Sequence, residues 1–284
     1  NGLEKDMAIY LNKNKEIHNS SFAYDDRQFQ KQRILNETID PKFLIIGSSK
    51  INSFSNKNFD EEVLNLWVSG ASIEDQVSIT VMALEKFNPN VIFLGADPWL
   101  LNKYSGQIRW KQISKEYNIA KKRISSVPKK DKIQKNLILS NQETKIYEKF
   151  LENIYNKFNI SSPKYKYIKN SKKSLDENII LSDGSLIYGN KRKTKKKSNV
   201  ISYSMIKYEF SNENYLIYDN LINYIKNFYE KEVILVLSPY YFPSYELTIN
   251  SIPHYTEVEK NFRKLAKKNN VQIIGSYNAK KVGC

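Results

Sequence analysis

Residues 43–50 of the chain read Phe-Leu-Ile-Ile-Gly-Ser-Ser-Lys. The four apolar residues form a short uninterrupted run, which is typical of a strand that is buried on both faces of a parallel sheet. Gly47 ends the run, and Ser48 and Ser49 follow it directly. The pattern predicts a strand over residues 43–46 with hydroxyl groups at its carboxyl end.

The same pattern recurs along the chain. Further buried strands are predicted at residues 63–68, 91–94, 233–237 and 271–274. Apolar residues at helical spacing predict helices at residues 73–87, 214–229 and 255–268, with Ser72 and Asp75 at the start of the first. Strands that alternate with helices indicate a doubly wound parallel α/β sheet, in which ligands bind beyond the carboxyl ends of the strands.

Two stretches depart from this alternation. Residues 1–40 are polar and helical in character. Residues 103–200 are rich in lysine, with a predicted helix at 146–158 and a predicted turn at Asp183-Gly184. We therefore divide the chain into an N-terminal helical segment and an α/β domain, 41–284, that carries residues 103–200 as a helical and loop insertion.

Composition excludes several classes of protein. The 284 residues are 40% hydrophobic and 13% aromatic, so the chain can bury a core and is not disordered throughout. The one cysteine, Cys284, excludes a disulfide framework and a cysteine-based zinc site, and the two histidines, His18 and His254, exclude a multi-histidine metal centre. A phosphate-binding loop and a dinucleotide-binding glycine fingerprint are both missing. We expect neither a metal nor a cofactor.

The net charge is +15, from 45 Lys and Arg residues against 30 Asp and Glu residues. Such an excess indicates an acidic partner (nucleic acid, an anionic glycan or a membrane surface) or a general richness in lysine with the charge spread over the whole chain. Residues 191–197 form the densest basic run, for which a solvated loop and an anion contact both stay open. Nucleic-acid binding is the weakest hypothesis, because no motif for it occurs. No apolar run approaches the roughly 20 residues of a membrane span.

Three blocks at predicted strand ends resemble those of a known family. They are residues 43–50, 65–72 and 95–99. In this order and spacing they are similar to successive blocks of the SGNH (GDSL-like) hydrolases. The Gly-Ser-Ser form of the first block is similar to a bacterial branch that is associated with cell-surface polysaccharides and D-alanyl transfer. The resemblance implies a flavodoxin-like, three-layer α/β fold.

The resemblance also implies acyl transfer through a serine ester. Ser49 matches the nucleophile, and Ser48 stands where the family usually has Asp. Gly70 matches the second block, whose backbone N–H helps to hold the oxyanion, although a turn here favours glycine in any case. Asp97 stands at the oxyanion-hole position where the third block has Asn. An ionised carboxylate would repel the oxyanion, so Asp97 must be neutral or turned away to order a loop.

Three residues are assigned to substrate binding on the same basis: Ser48, Trp99 and Tyr240. For Trp99 a packing role in the core or at the rim is the stronger alternative to a platform for a sugar. The two serines also have a simpler interpretation, as the cap of a helix that would follow the first strand.

A nucleophilic serine needs a base, and the family takes it from an Asp-x-x-His block after the last strand. No such block occurs up to Cys284. Because the last strand is predicted to end near Ile274, we expect the block shortly beyond Cys284, in a longer chain from which this one is cut. A chain that lacks the base is the alternative. His254 and His18 are weaker substitutes, since neither follows a predicted strand.

These expectations combine into a predicted function: a serine esterase or O-acyltransferase that acts on an acylated carbohydrate of the bacterial cell surface. The resemblance implies an extracytoplasmic location in the periplasm or at the cell surface, an anchor upstream of Asn1 and a membrane acyl-transfer protein as a candidate partner. The alternative is a non-catalytic module that binds carbohydrate or a partner on a degenerate scaffold. Asp97 in the Asn position and the missing base favour that alternative.

Overall fold

The computed structural model describes residues 3–13, 16–19, 24–126, 178–190, 203–240, 245–246 and 254–282. The strands are β1 (Glu16–Asn19), β2 (Phe43–Ile46), β3 (Val63–Asn65), β4 (Val91–Gly95), β5 (Asn178–Leu181), β6 (Leu186–Ile187), β7 (Glu232–Leu237) and β8 (Gln272–Gly275). The helices are α1 (Leu3–Lys13), α2 (Asp26–Asn36), α3 (Ile73–Lys86), α4 (Ser114–Ser126), α5 (Asn212–Asn223) and α6 (His254–Asn269). The predicted helix at 146–158 and the basic run at 191–197 lie outside these residues.

Five of the strands form one parallel sheet in the order β3-β2-β4-β7-β8. Counted along the chain this is the order 2-1-3-4-5, which is one of the common doubly wound arrangements. The predicted parallel α/β sheet is therefore confirmed, with each of its five predicted strands present.

The two faces of the sheet are covered differently. Right-handed crossovers place α3, α5 and α6 on one face, where they pack against residues such as Leu44 and Ile92. On the other face, Phe43 and Phe93 pack against apolar side chains of the connection between β2 and β3: Ile51, Phe54 and Phe59. The arrangement is compatible with a three-layer α/β fold.

The connection after β2 differs from the sequence-based interpretation, because no helix begins at the two serines. Residues 47–54 form turns, and Ser48 Oγ accepts a hydrogen bond of 3.2 Å from the backbone N–H of Lys50. A short 3₁₀ helix, Asn56–Asn58, follows later, and the backbone N–H of Ser55 at its start donates to Asn58 Oδ1 at 2.9 Å. A short polar side chain that bonds the nearby backbone, as Ser48 does, competes with helix formation. The interpretation of the two serines as a helix cap is wrong for this reason.

Strand β3 is shorter than predicted. It ends at Asn65, whose side-chain amide turns inward and donates to the carbonyl oxygens of Ile51 and Phe54, both at 2.9 Å. The backbone nevertheless continues beside β2, since the N–H of Val68 donates to the carbonyl of Gly47 at 3.0 Å. The loop at residues 69–72 is thereby held next to the end of β2.

The N-terminal segment contains a strand that the sequence did not reveal. Strand β1 pairs antiparallel with β5, which pairs in turn with β6, and the three form a second sheet. Ile17, Ile180 and Leu186 bury their side chains there with Met7 and Leu11 of α1. The N-terminal segment and the insertion thus share one small core. Among the described helices, none is long and apolar enough to span a membrane.

Candidate functional site

The ends of β2, β4 and β7 lie side by side at the carboxyl edge of the sheet, since β4 pairs with both of the others. Ser49 and Lys50 follow β2, Asp97 follows β4, and Tyr240 follows β7. The predicted site residues of these three blocks therefore come together as the topology requires.

Ser49 is exposed at the tip of the turn after β2. Its neighbour Ser48 is fully buried, and the carbonyl of Ser48 accepts the N–H of Ile51 at 3.1 Å. Ser48 therefore holds the turn and does not face solvent, whereas the hydroxyl of Ser49 can reach a ligand. In the described part of the chain no side chain forms a hydrogen bond with Ser49 Oγ.

Asp97 is 3% exposed and lies directly behind this turn. Burial raises the pKa of its carboxyl from the ordinary value of 3.8 to about 6. The positive charge of Lys50 and hydrogen bonding from Ser48 act in the opposite direction and favour the carboxylate. The raised pKa is in the direction of a neutral acid, and the hydrogen bonding from Ser48 ties the carboxyl to the turn after β2, so each of the two alternatives for Asp97 has one supporting observation.

Lys50 is half-buried, and its Nζ lies 3.3 Å from the centroid of the Tyr240 ring. The ring face attracts the ammonium group through its quadrupole. Burial lowers the pKa of Lys50 to about 8, while the carboxylate of Asp97 opposes that shift. No sequence pattern distinguishes Lys50 from the many other lysines of the chain.

The end of β4 is held by three buried side chains. Gln76 Nε2 and the Tyr218 hydroxyl donate to the carbonyl of Gly95, at 2.7 and 3.3 Å. The Tyr277 hydroxyl donates to the carbonyl of Ala96 at 2.6 Å. These contacts fix the backbone from which Asp97 projects, so the carboxyl has one position.

Tyr240 packs edge-on against Tyr255 and Tyr277, with ring centroids 5.0 and 6.0 Å away. Its backbone N–H donates to the carbonyl of Tyr277 at 3.0 Å, which joins the ends of β7 and β8. Half-buried and covered by Lys50 on one ring face, Tyr240 presents little open surface on which a sugar could stack.

The loop of the second block is clamped by a buried ion-pair network. Gly70 has a φ of +54°, a conformation that favours glycine, and its carbonyl faces Arg27 Nη2 at 3.5 Å. Arg27 binds Asp75 through two hydrogen bonds, of 3.1 and 2.7 Å, and Asp26 through one of 2.7 Å. Asp26 in turn accepts the N–H of Ser69 at 2.7 Å. The loop is therefore rigid next to Ser49.

Sequence reasoning missed Arg27 and Asp26, which lie in the polar N-terminal segment. No local pattern marks them, because a buried arginine in an amphipathic helix has the same sequence signature as an exposed one. Their partner across the network, Asp75, was recognised only as a residue at the start of a helix.

Trp99 is 7% exposed, and its indole N–H donates to the carbonyl of Ala71 at 2.8 Å. It packs in the core, which agrees with the packing role that the sequence favoured over a platform for a sugar. One edge of it lines a cavity of about 440 Å³ beside the second block, together with Ser72, Glu74, Asn102, Tyr104 and Gln107.

Neither histidine is placed at Ser49 by its contacts. His254 begins α6 and stacks on Tyr208, with ring centroids 4.6 Å apart. His18, on β1, contacts Glu16 at 2.8 Å. Among the residues that the structure describes, no group of three His, Cys, Asp or Glu side chains is arranged to hold a metal.

Comparison of the chain with protein-family models, with curated proteins and with solved structures finds no match. The function is therefore inferred from the chemistry of the site. That site combines an exposed serine hydroxyl, a half-buried ammonium group and a buried carboxyl at adjacent strand ends.

Proposed function

We propose that the protein is a serine-dependent acyl-transfer enzyme, an esterase or O-acyltransferase of SGNH type. The observation that carries this proposal is the position of Ser49, exposed at a fixed turn at the carboxyl end of β2. Ligands of doubly wound sheets bind at this edge. Its substrate would be an acylated carbohydrate of the bacterial cell surface, reached outside the cytoplasmic membrane by an anchored protein that works with a membrane acyl-transfer partner.

In the proposed reaction, Ser49 Oγ attacks the carbonyl carbon of the ester and forms an acyl-serine. The alcohol leaves with the proton that the serine loses, and a second hydroxyl then takes the acyl group from Ser49. The rigid loop at Gly70 supports the proposal, because a backbone N–H held in one place stabilises an oxyanion without reorganisation. By resemblance to the family, the proton-accepting residue is the His of an Asp-x-x-His block that follows the last strand in that family.

Labelling with a fluorophosphonate tests the proposal. The protein expressed from its complete gene is treated with the probe, digested and analysed by mass spectrometry. We expect a covalent adduct on Ser49 that disappears in Ser49→Ala. The matched control is Ser125→Ala, which removes an exposed hydroxyl from α4 and leaves labelling unchanged. A complete protein without an adduct on Ser49 would refute the proposal.

A non-catalytic carbohydrate- or partner-binding module is the second candidate function. It is favoured by two observations: the contacts of the described residues bring no histidine to Ser49, and Asp97 stands at the family's Asn position as a buried carboxyl. This function predicts glycan binding with the same affinity in the wild-type protein and in Ser49→Ala, together with no adduct. Glycan-array binding of both proteins distinguishes the two functions.

A further inference from the structure

Two polar groups near Ser49 lack the partners that buried groups normally have. Asp97 Oδ2 is fully buried and has no hydrogen-bond partner. Lys50 Nζ has the ring of Tyr240 as its contact, and in the described residues no carboxylate oxygen comes within 4.0 Å of it. Buried polar groups are nearly always paired, so each such exception needs an explanation.

Lys50, Tyr240 and Asp97 are neighbours at the edge of the sheet. Lys50 Nζ lies over the ring of Tyr240, and the charge of Asp97 acts on both residues, raising the pKa of Tyr240 and favouring the charged form of Lys50. The charge of Asp97 also acts on Tyr218 and Tyr277, whose hydroxyls are already engaged with backbone carbonyls. Lys50 Nζ and Asp97 Oδ2 therefore keep hydrogen-bonding capacity for another group.

Charge decides which group fits. A metal ion or an amine would be repelled by the ammonium of Lys50, and an anion would be repelled by the carboxylate of Asp97. A neutral hydroxyl can hydrogen-bond to both side chains, because its oxygen accepts from Lys50 Nζ and its O–H donates to Asp97 Oδ2. Hydrogen bonds to charged groups are also the stronger ones.

We propose that Lys50, Asp97 and Tyr240 form a subsite that binds the hydroxyl group of the acyl acceptor beside Ser49. The proposal rests on the proposed function and specifies its second step. The bound hydroxyl oxygen attacks the carbonyl carbon of acyl-Ser49, the new carbon–oxygen bond forms, the bond to Ser49 Oγ breaks, and the proton of the hydroxyl ends on Ser49 Oγ.

The hydroxyl has two sources, water and a polyol, and one experiment separates them. The complete protein is incubated with p-nitrophenyl acetate as acyl donor and methyl glucoside as acceptor, and free acetate and acetylated glucoside are quantified. We expect acetylated glucoside from the wild-type protein. Lys50→Met and Asp97→Asn should each lower its formation roughly tenfold, the effect of one lost hydrogen bond to a charged group. Fluorophosphonate labelling of Ser49 should persist in Lys50→Met, because the probe needs no acceptor.

Matched controls lie at the opposite edge of the sheet. Lys42→Met and Asp40→Asn remove the same charges from an exposed ion pair beside the start of β2, and both should keep wild-type rates. If the wild-type protein forms free acetate and no acetylated glucoside, and if Lys50→Met and Asp97→Asn lower the rate of acetate formation, the subsite binds water. Wild-type transfer rates in both variants, with Ser49 labelled, would overturn the subsite and leave the proposed function intact. A wild-type protein in which Ser49 is not labelled would refute both the subsite and the proposed function.

Discussion

Asp97 is a residue whose burial and charge oppose each other. A carboxyl that is 3% exposed is expected to form an ion pair or several hydrogen bonds, yet one of its oxygens has no partner. The cost is reflected in the pKa of about 6, raised mainly by burial. Such a residue weakens the fold at neutral pH, which is tolerated where a site requires it.

This opposition predicts how stability depends on pH. Because burial raises the pKa of Asp97 from 3.8 to about 6, the unfolded chain loses the proton at a lower pH than the folded protein does. The contribution of Asp97 to stability is therefore present below about pH 4 and is lost as the pH rises through about 6. Asp97→Asn has no carboxyl to titrate at this position. Its free energy of unfolding should therefore rise relative to that of the wild type by on the order of 2–3 kcal/mol as the pH increases from about 4 to about 6.

Urea unfolding of both proteins across this pH range measures the gain. Asp40→Asn is the control, since the backbone N–H of Asn88 lowers the pKa of the exposed Asp40 and no gain of this sign should occur. If the difference in free energy of unfolding between Asp97→Asn and the wild type stays constant with pH, the Asp97 carboxyl titrates with its ordinary pKa.

At the residue scale the sequence was informative where a backbone position follows from topology. The position of Ser49, Asp97 and Tyr240 at one edge of the sheet was predicted because each follows a buried strand, and parallel strands end at the same edge. Lys50 and Arg27 could not be found, because burial of a single charged side chain depends on contacts from distant segments. The partner of Arg27 lies 48 residues away along the chain.

The hairpin of β5 and β6 is held in place through its turn. The carbonyl of Gly184 accepts the indole N–H of Trp67 at 3.0 Å, and Arg33 donates to the carbonyls of Asn65 and Ser182 at 3.0 and 2.7 Å. Gly184 has a φ of +86°, in the left-handed region. A Cβ at this position would overlap the carbonyl oxygen of Asn65 and the guanidinium of Arg33.

Substituting this glycine therefore tests how the second sheet is attached. Gly184→Ala should lower the free energy of unfolding by about 3 kcal/mol or more, from backbone strain and the displaced Arg33. Ser182→Ala, an exposed change two residues away, should stay within about 0.5 kcal/mol of wild type. Chemical unfolding of both variants provides the measurement, and equal values for the two would contradict the docking role of the turn.

At the element scale, sequence prediction succeeded where the signal is local. Helix α3 begins where predicted because Ser72 and Asp75 cap it reciprocally, with bonds of 2.9 and 3.2 Å. Helix α5 was predicted to continue to Tyr229 but ends at Asn223 and passes into a wider helical turn over Tyr224–Phe228. Strand β1 was missed because its pairing partner lies in the insertion, and its four residues carry no alternating apolar pattern.

The net charge of +15 is a property of the molecule as a whole. Many of the described acidic groups are already paired, including the buried Asp26 and Asp75, so the excess cations repel one another. The sign and size of this charge follow from composition alone, whereas the pairing of individual groups needed the structure.

Salt should therefore stabilise the folded protein. Raising ionic strength from about 0.01 to 0.1 M shortens the screening length to about 10 Å, so the urea midpoint at pH 7 should rise. At a pH near the pI of 9.5 the net charge vanishes, and the midpoint should become insensitive to salt. A midpoint at pH 7 that falls with added salt would mean that attractive ion pairs outweigh the net repulsion.

The pairing of β1 with β5 sets an order of events during synthesis. Glu16 faces Leu181, so 165 residues must be made after the first strand before its partner exists. At about 5–20 residues per second the ribosome takes roughly 8–33 seconds over them. During that interval β2, β3 and β4 can already associate, while β1 waits with an open edge. Of the described strands, β1 is thus the first to be translated and among the last to be paired.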